Sequence, residues 1–378
     1  MDFDFSDDQR LLKDSVDRLV ADRYGFESRK KFSQQPEGWS RELWAQYAEL
    51  GLLGVRFDEK HGGFGGGPVE TMIVMEAFGR GLVLEPYFAT VILGGGLIRA
   101  AGSPAQQDAW LPRIAGGTLL LAFAHLERAS RFNMADVQAT AVQRNGKWVL
   151  NGEKGVVLNG DTADMLLVTA RTSGGRTDRD GIGLFLVDAR AQGVTRTGYP
   201  TQDGGRAAEI GLANVEATEV LGDPGGALPV VERVVDEAIA ALCAEAVGAM
   251  EEMHVATVDY LKTRKQFGRA IGEFQVLQHR SVDMFVALEQ ARSMAMFATV
   301  MSGEPDPVAR RRAISAAKVQ IGKSGKLIGE EAVQLHGGIA MTMEYKVGHY
   351  FKRMTMIEKL FGDTAHHQQQ VAELGSLF

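Results

Sequence analysis

A chain of 378 residues with 45% hydrophobic side chains is too long for one ordinary layered core and has apolar material for two or three. Its net charge is −7 and no basic run exceeds the short one around Arg310–Arg312, which argues against a nucleic-acid partner. The lone cysteine, Cys243, rules out an intrachain disulfide and fits a reducing, cytoplasmic setting, and no leader or membrane-span pattern interrupts the sequence.

The first 118 or so residues read as helical. Leu11, Leu12, Val16, Leu19 and Val20 recur at helical spacing after Ser6, which can cap the helix, with Asp7 and Asp8 in its first turn. A second helix is expected from Ser40 to Leu50. The loop "GGFGGGP" ends on Pro68 at the start of a third. Further helices are expected through Ala77, through Ile92 and, capped by Ser103-Pro104, through Trp110. From about 119 to 222 the pattern changes to strands: "KWVLNGEKGVVLNG", with hairpin punctuation at Asn151-Gly152, then "ADMLLVTART", "GIGLFLVDA" and "AEIGLANVEA". No helical pattern lies between them, so an antiparallel β domain is expected and a doubly wound nucleotide fold is not. From 223 to 378 the chain is helical again. Windows around 229–263, 272–301 and 307–334, joined by short links, suggest an antiparallel four-helix bundle. The fold class is thus α+β in three parts: 1–118 helical, 119–222 β, 223–378 helical.

Several local patterns have plain explanations. The glycines at 62–67 lack the lysine and hydroxyl of a phosphate loop. "EEMH" at 251–254 is half of a di-iron carboxylate signature, without its partner motif, so no metal site is expected. The adjacent pair His366-His367 points two ways on a helix. Cys243, in an alanine-rich helix, reads as a small core residue.

Two segments are not explained so simply: "RKQFGRAIGEFQVLQH", starting at Arg264, and "QLHGGIAMTMEY", starting at Gln334. With them the chain resembles the acyl-CoA dehydrogenase family. "SPAQQDAWLPRIAGG" and "NGEKGVVLNGDTAD" resemble its other landmarks, in the same order, so the resemblance covers essentially the whole chain. It implies FAD as cofactor, an acyl-CoA thioester as substrate and electron-transfer flavoprotein as electron acceptor. A carboxylate would remove the substrate's α-proton while the β-hydrogen leaves as hydride. It also implies how the segments act. Arg264 would pair with the pyrophosphate and Phe267 would wall the adenine end. Gln266, Gln275 and Gln334 would supply amides, and Gly337-Gly338 would let backbone N–H groups approach. In the family these residues reach the FAD of a neighbouring subunit, so a homodimer or tetramer, or a hetero-tetramer with a second such chain, is implied.

The chain departs from the family at the flavin ring and at the base. Leu126 stands where a threonine is usual, and Val156 to Leu158 replace a tryptophan–isoleucine–threonine run; Leu126, Val156 and Leu158 are the expected ring contacts. The C-terminal loop of Tyr-Glu-Gly-Thr type is here "LFGDTAHH". Thr364 is kept as a cofactor contact, Gly362 stands at the glutamate and Asp363 follows it. The alternative base position falls on Ala238, next to Glu237, with Glu245 seven residues further on. Glu237 and Glu245 are therefore the candidate catalytic bases, with a helix-packing ion pair as the plainer reading of Glu245. These changes resemble the small-subunit, pimeloyl-CoA dehydrogenase-like branch. They leave two expectations: a dehydrogenase with an unusual base, or a non-catalytic partner completing a sister chain's FAD site.

Overall fold

The computed structural model describes residues 5–375. Its helices and strands follow in chain order. The first part holds α1 (Asp7–Arg23), α2 (Phe26–Ser33), α3 (Arg41–Glu49), α4 (Pro68–Gly81), α5 (Gly96–Ala101) and α6 (Pro104–Ala115). Strands β1 (Leu121–Ala124), β2 (Thr140–Arg144), β3 (Lys147–Leu158), β4 (Met165–Arg171), β5 (Ile182–Asp188), β6 (Val194–Pro200), β7 (Arg206–Glu216) and β8 (Glu219–Leu221) come next. Then follow α7 (Leu228–Thr263), the short strands β9 (Lys265–Gln266) and β10 (Arg269–Ala270), α8 (Gln275–Met301), α9 (Pro307–His336), α10 (Lys346–Lys359) and α11 (Thr364–Glu373). Two compact units emerge. One holds the N-terminal segment to Lys31, Pro68–Val83 and everything from Ile239; the other holds Phe32–Gly67 and Leu84–Ala238.

In the first unit, α1 starts on a capping box, Ser6 accepting from the Gln9 N–H while Gln9 reaches back. Val16, Leu19 and Val20 are its buried stripe. Pro68 opens α4, where the missing N–H costs nothing. Helices α4 and α7 meet through glycines: a Cβ on Gly79 would lie 1.9 Å from the Glu245 carbonyl oxygen, and one on Gly248 would lie 1.9 Å from that of Glu76. The backbones touch because neither position carries a side chain. Around that crossing Arg80 pairs with Asp17, Glu76 and Glu251, and Arg292 with Glu76 and Glu251, which joins α1, α4, α7 and α8. Helix α9 begins at Pro307 with Asp306 as cap and is flanked by α8, α10 and α11. Buried Lys318 on α9 donates to the carbonyls of Ile357 (2.7 Å) and Gly362 (2.9 Å), and more distantly to Glu358 and Leu360. It serves as the cationic cap of α10. Burial lowers its pKa to about 8.

In the second unit, Ser40 caps α3 and Ser103 caps α6 in a second capping box. A π-helical turn, Phe88–Gly95, leads into α5. The sheet runs β6-β7-β3-β2-β4-β5-β8, with β1 on β4. Its core includes Leu150, Leu166, Val168, Phe185, Val187, Ile210 and Val215.

Two expectations about this sheet need correction. It is mixed, not wholly antiparallel: β1 pairs with β4 in parallel, Leu121 opposite Met165 through Ala124 opposite Val168. The chain leaves β4's edge after β1, loops out, and returns in the same direction as β2, which meets β4 at Thr140 opposite Arg171. The hairpin turn is not at Asn151-Gly152 but at Asn145-Gly146, where φ is 51° and 80°, both positive as a tight two-residue β turn requires. Asn151-Gly152 lies inside β3, beside a register shift between Leu150 and Gly152, and the Asn151 side chain accepts from the Asn214 N–H at 2.8 Å. Strand β6 has a largely exposed face pattern, which left no hydrophobic alternation to read.

Candidate functional site

The residues expected to hold a dinucleotide lie together in the first unit. Helix α7 ends at Thr263, and Arg264 leads into the β9–β10 hairpin carrying Gln266 and Phe267. Gln275 is the first residue of α8; Gln334 lies in the last turn of α9, and Gly337-Gly338 follow it. The ends of α7 and α9 are joined by rings in tilted contact: Tyr260 lies 4.5 Å from His336, and His336 lies 5.0 Å from Tyr345. His336 bonds the Ala332 carbonyl through Nδ1 (2.8 Å), so its Nε2 accepts from the Tyr345 hydroxyl (3.2 Å). Burial keeps this imidazole below its ordinary pKa, hence neutral. His336 lies within the segment "QLHGGIAMTMEY", but its pairing with Tyr260, 76 positions away, has no local signal.

Among the described residues the Arg264 guanidinium has no ion pair or hydrogen bond, and neither has the Gln275 or Gln334 amide. Phe267 is 91% exposed, and its ring meets Phe274 edge-on at 6.1 Å. A Cβ on Gly337 or Gly338 would meet nothing within 4 Å. An unengaged guanidinium, two unengaged amides, an open aromatic face and bare backbone are the donor set that a pyrophosphate and an adenosine need. These residues fit that end of FAD.

The expected ring contacts, in the second unit, are differently placed. Leu126 uses its carbonyl to accept from the Gly155 N–H at 2.8 Å. Val156 is held at φ 49°, a left-handed conformation that a β-branched residue adopts only under constraint. Its N–H points at Glu209 Oε1 (3.4 Å), and the same oxygen accepts from the Tyr199 hydroxyl at 2.8 Å. Burial and the Glu209 carboxylate push the Tyr199 phenol up to about 12. Leu158, at the end of β3, is paired in the ladder with Ala207. Beneath this turn Lys154 is fully buried and donates to Glu127 Oε1 (2.7 Å) and Thr169 (3.2 Å). The Glu127 carboxylate also accepts from the Gln138 and Ala139 N–H groups. Burial holds Lys154 below the ordinary lysine range. The edge expected to receive a ring is thus built around Glu209, a carboxylate that no sequence motif marks.

Both candidate bases are ion-paired. Glu237, on α7 in the second unit, accepts from Arg56 and Arg99 at 2.8 Å each on the same oxygen, with Arg233 3.6 Å from the other. Glu245, on α7 in the first unit, is bidentate with Arg353, at 2.6 and 2.8 Å. In the C-terminal loop, Thr364 opens α11 and is held by Glu358 through its N–H (2.9 Å) and hydroxyl (3.1 Å). Asp363 caps α11 and pairs with Lys359. Gly362 has φ 122°, and a Cβ there would lie 2.5 Å from the His366 ring. A glutamate cannot replace that glycine without moving both histidines. Elsewhere, Glu251 of "EEMH" belongs to the arginine network and His254 bonds the Ser281 carbonyl. Cys243 is fully buried, its thiol pushed up to about 12 by burial. Among the described residues, no helix is long and apolar enough to cross a membrane.

Three family models match in order: the acyl-CoA dehydrogenase N-terminal domain over residues 6–118, its middle domain over 122–218 and its C-terminal domain over 228–375. Acyl-CoA dehydrogenase FadE12 of Mycobacterium tuberculosis is 31% identical over 358 residues, 90% of this chain and 89% of that protein. Among solved structures, the Tcur3481-Tcur3483 steroid ACAD variant is 28% identical, with a TM-score of 0.88 and 97% of each chain covered. The FAD complex of PigA is 26% identical, with a TM-score of 0.89, covering 99% of this chain and 98% of that one. The chain belongs to the acyl-CoA dehydrogenase family, flavoproteins that use FAD to dehydrogenate acyl-CoA thioesters.

Proposed function

We propose that this acyl-CoA dehydrogenase chain acts as one of two unlike subunits, in the manner of the pimeloyl-CoA-type branch. In this role it supplies the pyrophosphate-binding arm of an FAD whose ring is seated mainly on a sister subunit. The observation that carries this is a contrast within one chain. The arm is complete and unengaged at Arg264, Gln275, Gln334 and Gly337-Gly338, while Glu209 already takes the Val156 N–H on the ring-facing edge. When bound, FAD supplies the hydride acceptor. Arg264 would neutralise the pyrophosphate and Gln334 would orient it, while Phe267 would exclude water from the adenine end.

The α-proton is assigned to the sister subunit's base. Glu237 and Glu245 are each occupied by guanidinium groups, and Gly362 offers no carboxylate. An electron-transfer flavoprotein is the proposed electron acceptor. The chain's exposed apolar residues give the arm a surface to work from: Phe267, Met341 and Met343, with Val282, Phe285 and Val286 on α8, suit burial against another subunit. The likeness to the steroid ACAD named for two components, Tcur3481 and Tcur3483, supports the two-subunit reading.

Arg264→Ala in the flavin-loaded assembly tests it. Removing one partner of a buried charge-assisted pair costs on the order of 2–5 kcal/mol, so FAD should separate from the protein on gel filtration at micromolar concentration. Circular dichroism should stay unchanged. Full retention of flavin by a folded Arg264→Ala protein would remove the arm from the cofactor site.

A further inference from the structure

Three arginines converge on one carboxylate in the second unit. Arg56 follows the turn after α3, Arg99 lies on α5, and Arg233 stands one helical turn before Glu237 on α7. Arg56 and Arg99 each reach Glu237 Oε2 at 2.8 Å, and Arg233 approaches Oε1 at 3.6 Å. Among the described residues none of the three has another carboxylate within ion-pair distance. Three positive charges against one negative leave the cluster with an excess of two. The carboxylate is 6% exposed, Arg56 14%, Arg99 33% and Arg233 46%, so the cluster has a buried floor and an open rim.

A cluster serving only to pin α7 would be better neutralised. Like charges repel strongly where water is partly excluded; Arg56 and Arg99 each bond the carboxylate, yet every guanidinium beyond the first adds repulsion that one carboxylate does not offset, and Arg233 at 3.6 Å adds it without a hydrogen bond. Nor does the neighbouring phenol compensate. Tyr87 is buried and donates its hydroxyl to the Leu52 carbonyl at 3.1 Å, and burial pushes its pKa up, so it stays neutral.

We propose that Arg56, Arg99 and Arg233 form an oxyanion site in which Glu237 anchors the guanidinium groups and a carboxylate or phosphate of the ligand completes the charge balance. Burial and the repulsion from Arg56 hold Arg99 below its ordinary pKa, with Glu237 only partly opposing them. A second anion would relieve that repulsion. The planar guanidinium fork matches the two oxygens of a carboxylate or phosphate. For a protein acting on acyl-CoA, the anion has two sources: a carboxylate at the far end of the acyl chain, or a phosphate of CoA itself. This inference rests on the family's acyl-CoA substrates and is independent of the two-subunit reading. It makes Glu237 a positioning residue, not a base.

Binding of adipoyl-CoA and hexanoyl-CoA to the full chain separates the possibilities, with titrations at one ionic strength on the parent, Arg99→Gln and Arg56→Gln. Their acyl chains match in length and differ in one terminal carboxylate. If the acyl carboxylate is the ligand, the parent binds adipoyl-CoA about tenfold more tightly, and each variant loses that preference while hexanoyl-CoA binding is unchanged. If a CoA phosphate is the ligand, both thioesters weaken about tenfold in each variant, and a hexanoyl-CoA analogue lacking the 3′-phosphate, or hexanoyl-pantetheine lacking every phosphate, shows no dependence on the arginines. Both results support the site. Affinities for all four ligands that are unaffected by folded Arg99→Gln and Arg56→Gln would overturn it. Circular dichroism of each variant guards against misfolding, and Arg99→Lys, which keeps the charge, should restore part of the binding.

Discussion

Single residues in this protein are legible when their work is local. Ser6 and Ser103 cap their helices as their spacing from Gln9 and Gln106 predicts. Arg264 and Gly337 stand at helix ends where their motifs put them. Glu209 and the Arg56–Arg99–Arg233 cluster were not legible, because their partners come from distant strands and helices and no spacing encodes that meeting. Two histidines, half-buried His125 and buried His367, belong to the same class and make the chain acid-sensitive. His125 lies stacked on Phe123 at 4.7 Å, and burial, with Lys154 nearby, lowers its pKa to about 3. His367 is likewise lowered to about 3, by burial first and then by Lys318, His366 and Arg311. Its Nδ1 meets the Ser315 hydroxyl at 3.0 Å, while Nε2 has no hydrogen-bond partner among the described residues. Between pH 6.5 and 3 the unfolded chain binds a proton at each site that the folded chain refuses. Stability is therefore complete above about pH 6.5 and falls as the pH drops through that window, by about 2 kcal/mol per histidine at pH 5. Urea titrations at pH 7 and pH 5 should show a loss about 2 kcal/mol smaller in His367→Gln than in the parent. An identical loss in the two proteins would mean that His367 is not the protonation site.

At the scale of elements, apolar periodicity and capping located the long helices, and valine-rich runs located β3, β4, β5 and β7. What they could not locate was pairing. The parallel edge made by β1 follows from where the chain re-enters the sheet, and β6 exposes too much of its surface to leave a hydrophobic alternation. The contact between α4 and α7 is likewise invisible in either helix alone, since Gly79 and Gly248 look like helix-weakening residues until they face each other's backbone. Gly248→Val should be disruptive: its Cβ would lie 1.9 Å from the Glu76 carbonyl oxygen, and backbone cannot yield as a side-chain tip can. Overpacking of this kind costs on the order of 1–3 kcal/mol or more. A fall in the urea midpoint of that size is expected, and an unchanged midpoint would mean that the helices cross elsewhere.

At the scale of the whole molecule, three successive family models and a shared architecture place this chain in the acyl-CoA dehydrogenase family. The fold was largely readable in advance because each part declares its period, helical, then alternating, then helical again. The candidate site was readable in part. Its phosphate-facing arm is a contiguous motif, whereas the engagement of the ring-facing edge and of both candidate bases depends on side chains from elsewhere in the fold. In the proposed division of labour this chain keeps the reaching half of a flavin site, while on the receiving half its own Glu209 takes the Val156 N–H. The flavin content of the chain purified alone tests this most directly, read from its visible absorbance before and after mixing with an acyl-CoA. The chain alone should hold well under one FAD and show no bleaching within a single turnover, with both restored when a catalytic sister subunit is present. One tightly held FAD per chain, reduced by acyl-CoA in the absence of any other subunit, would rule out the division of labour.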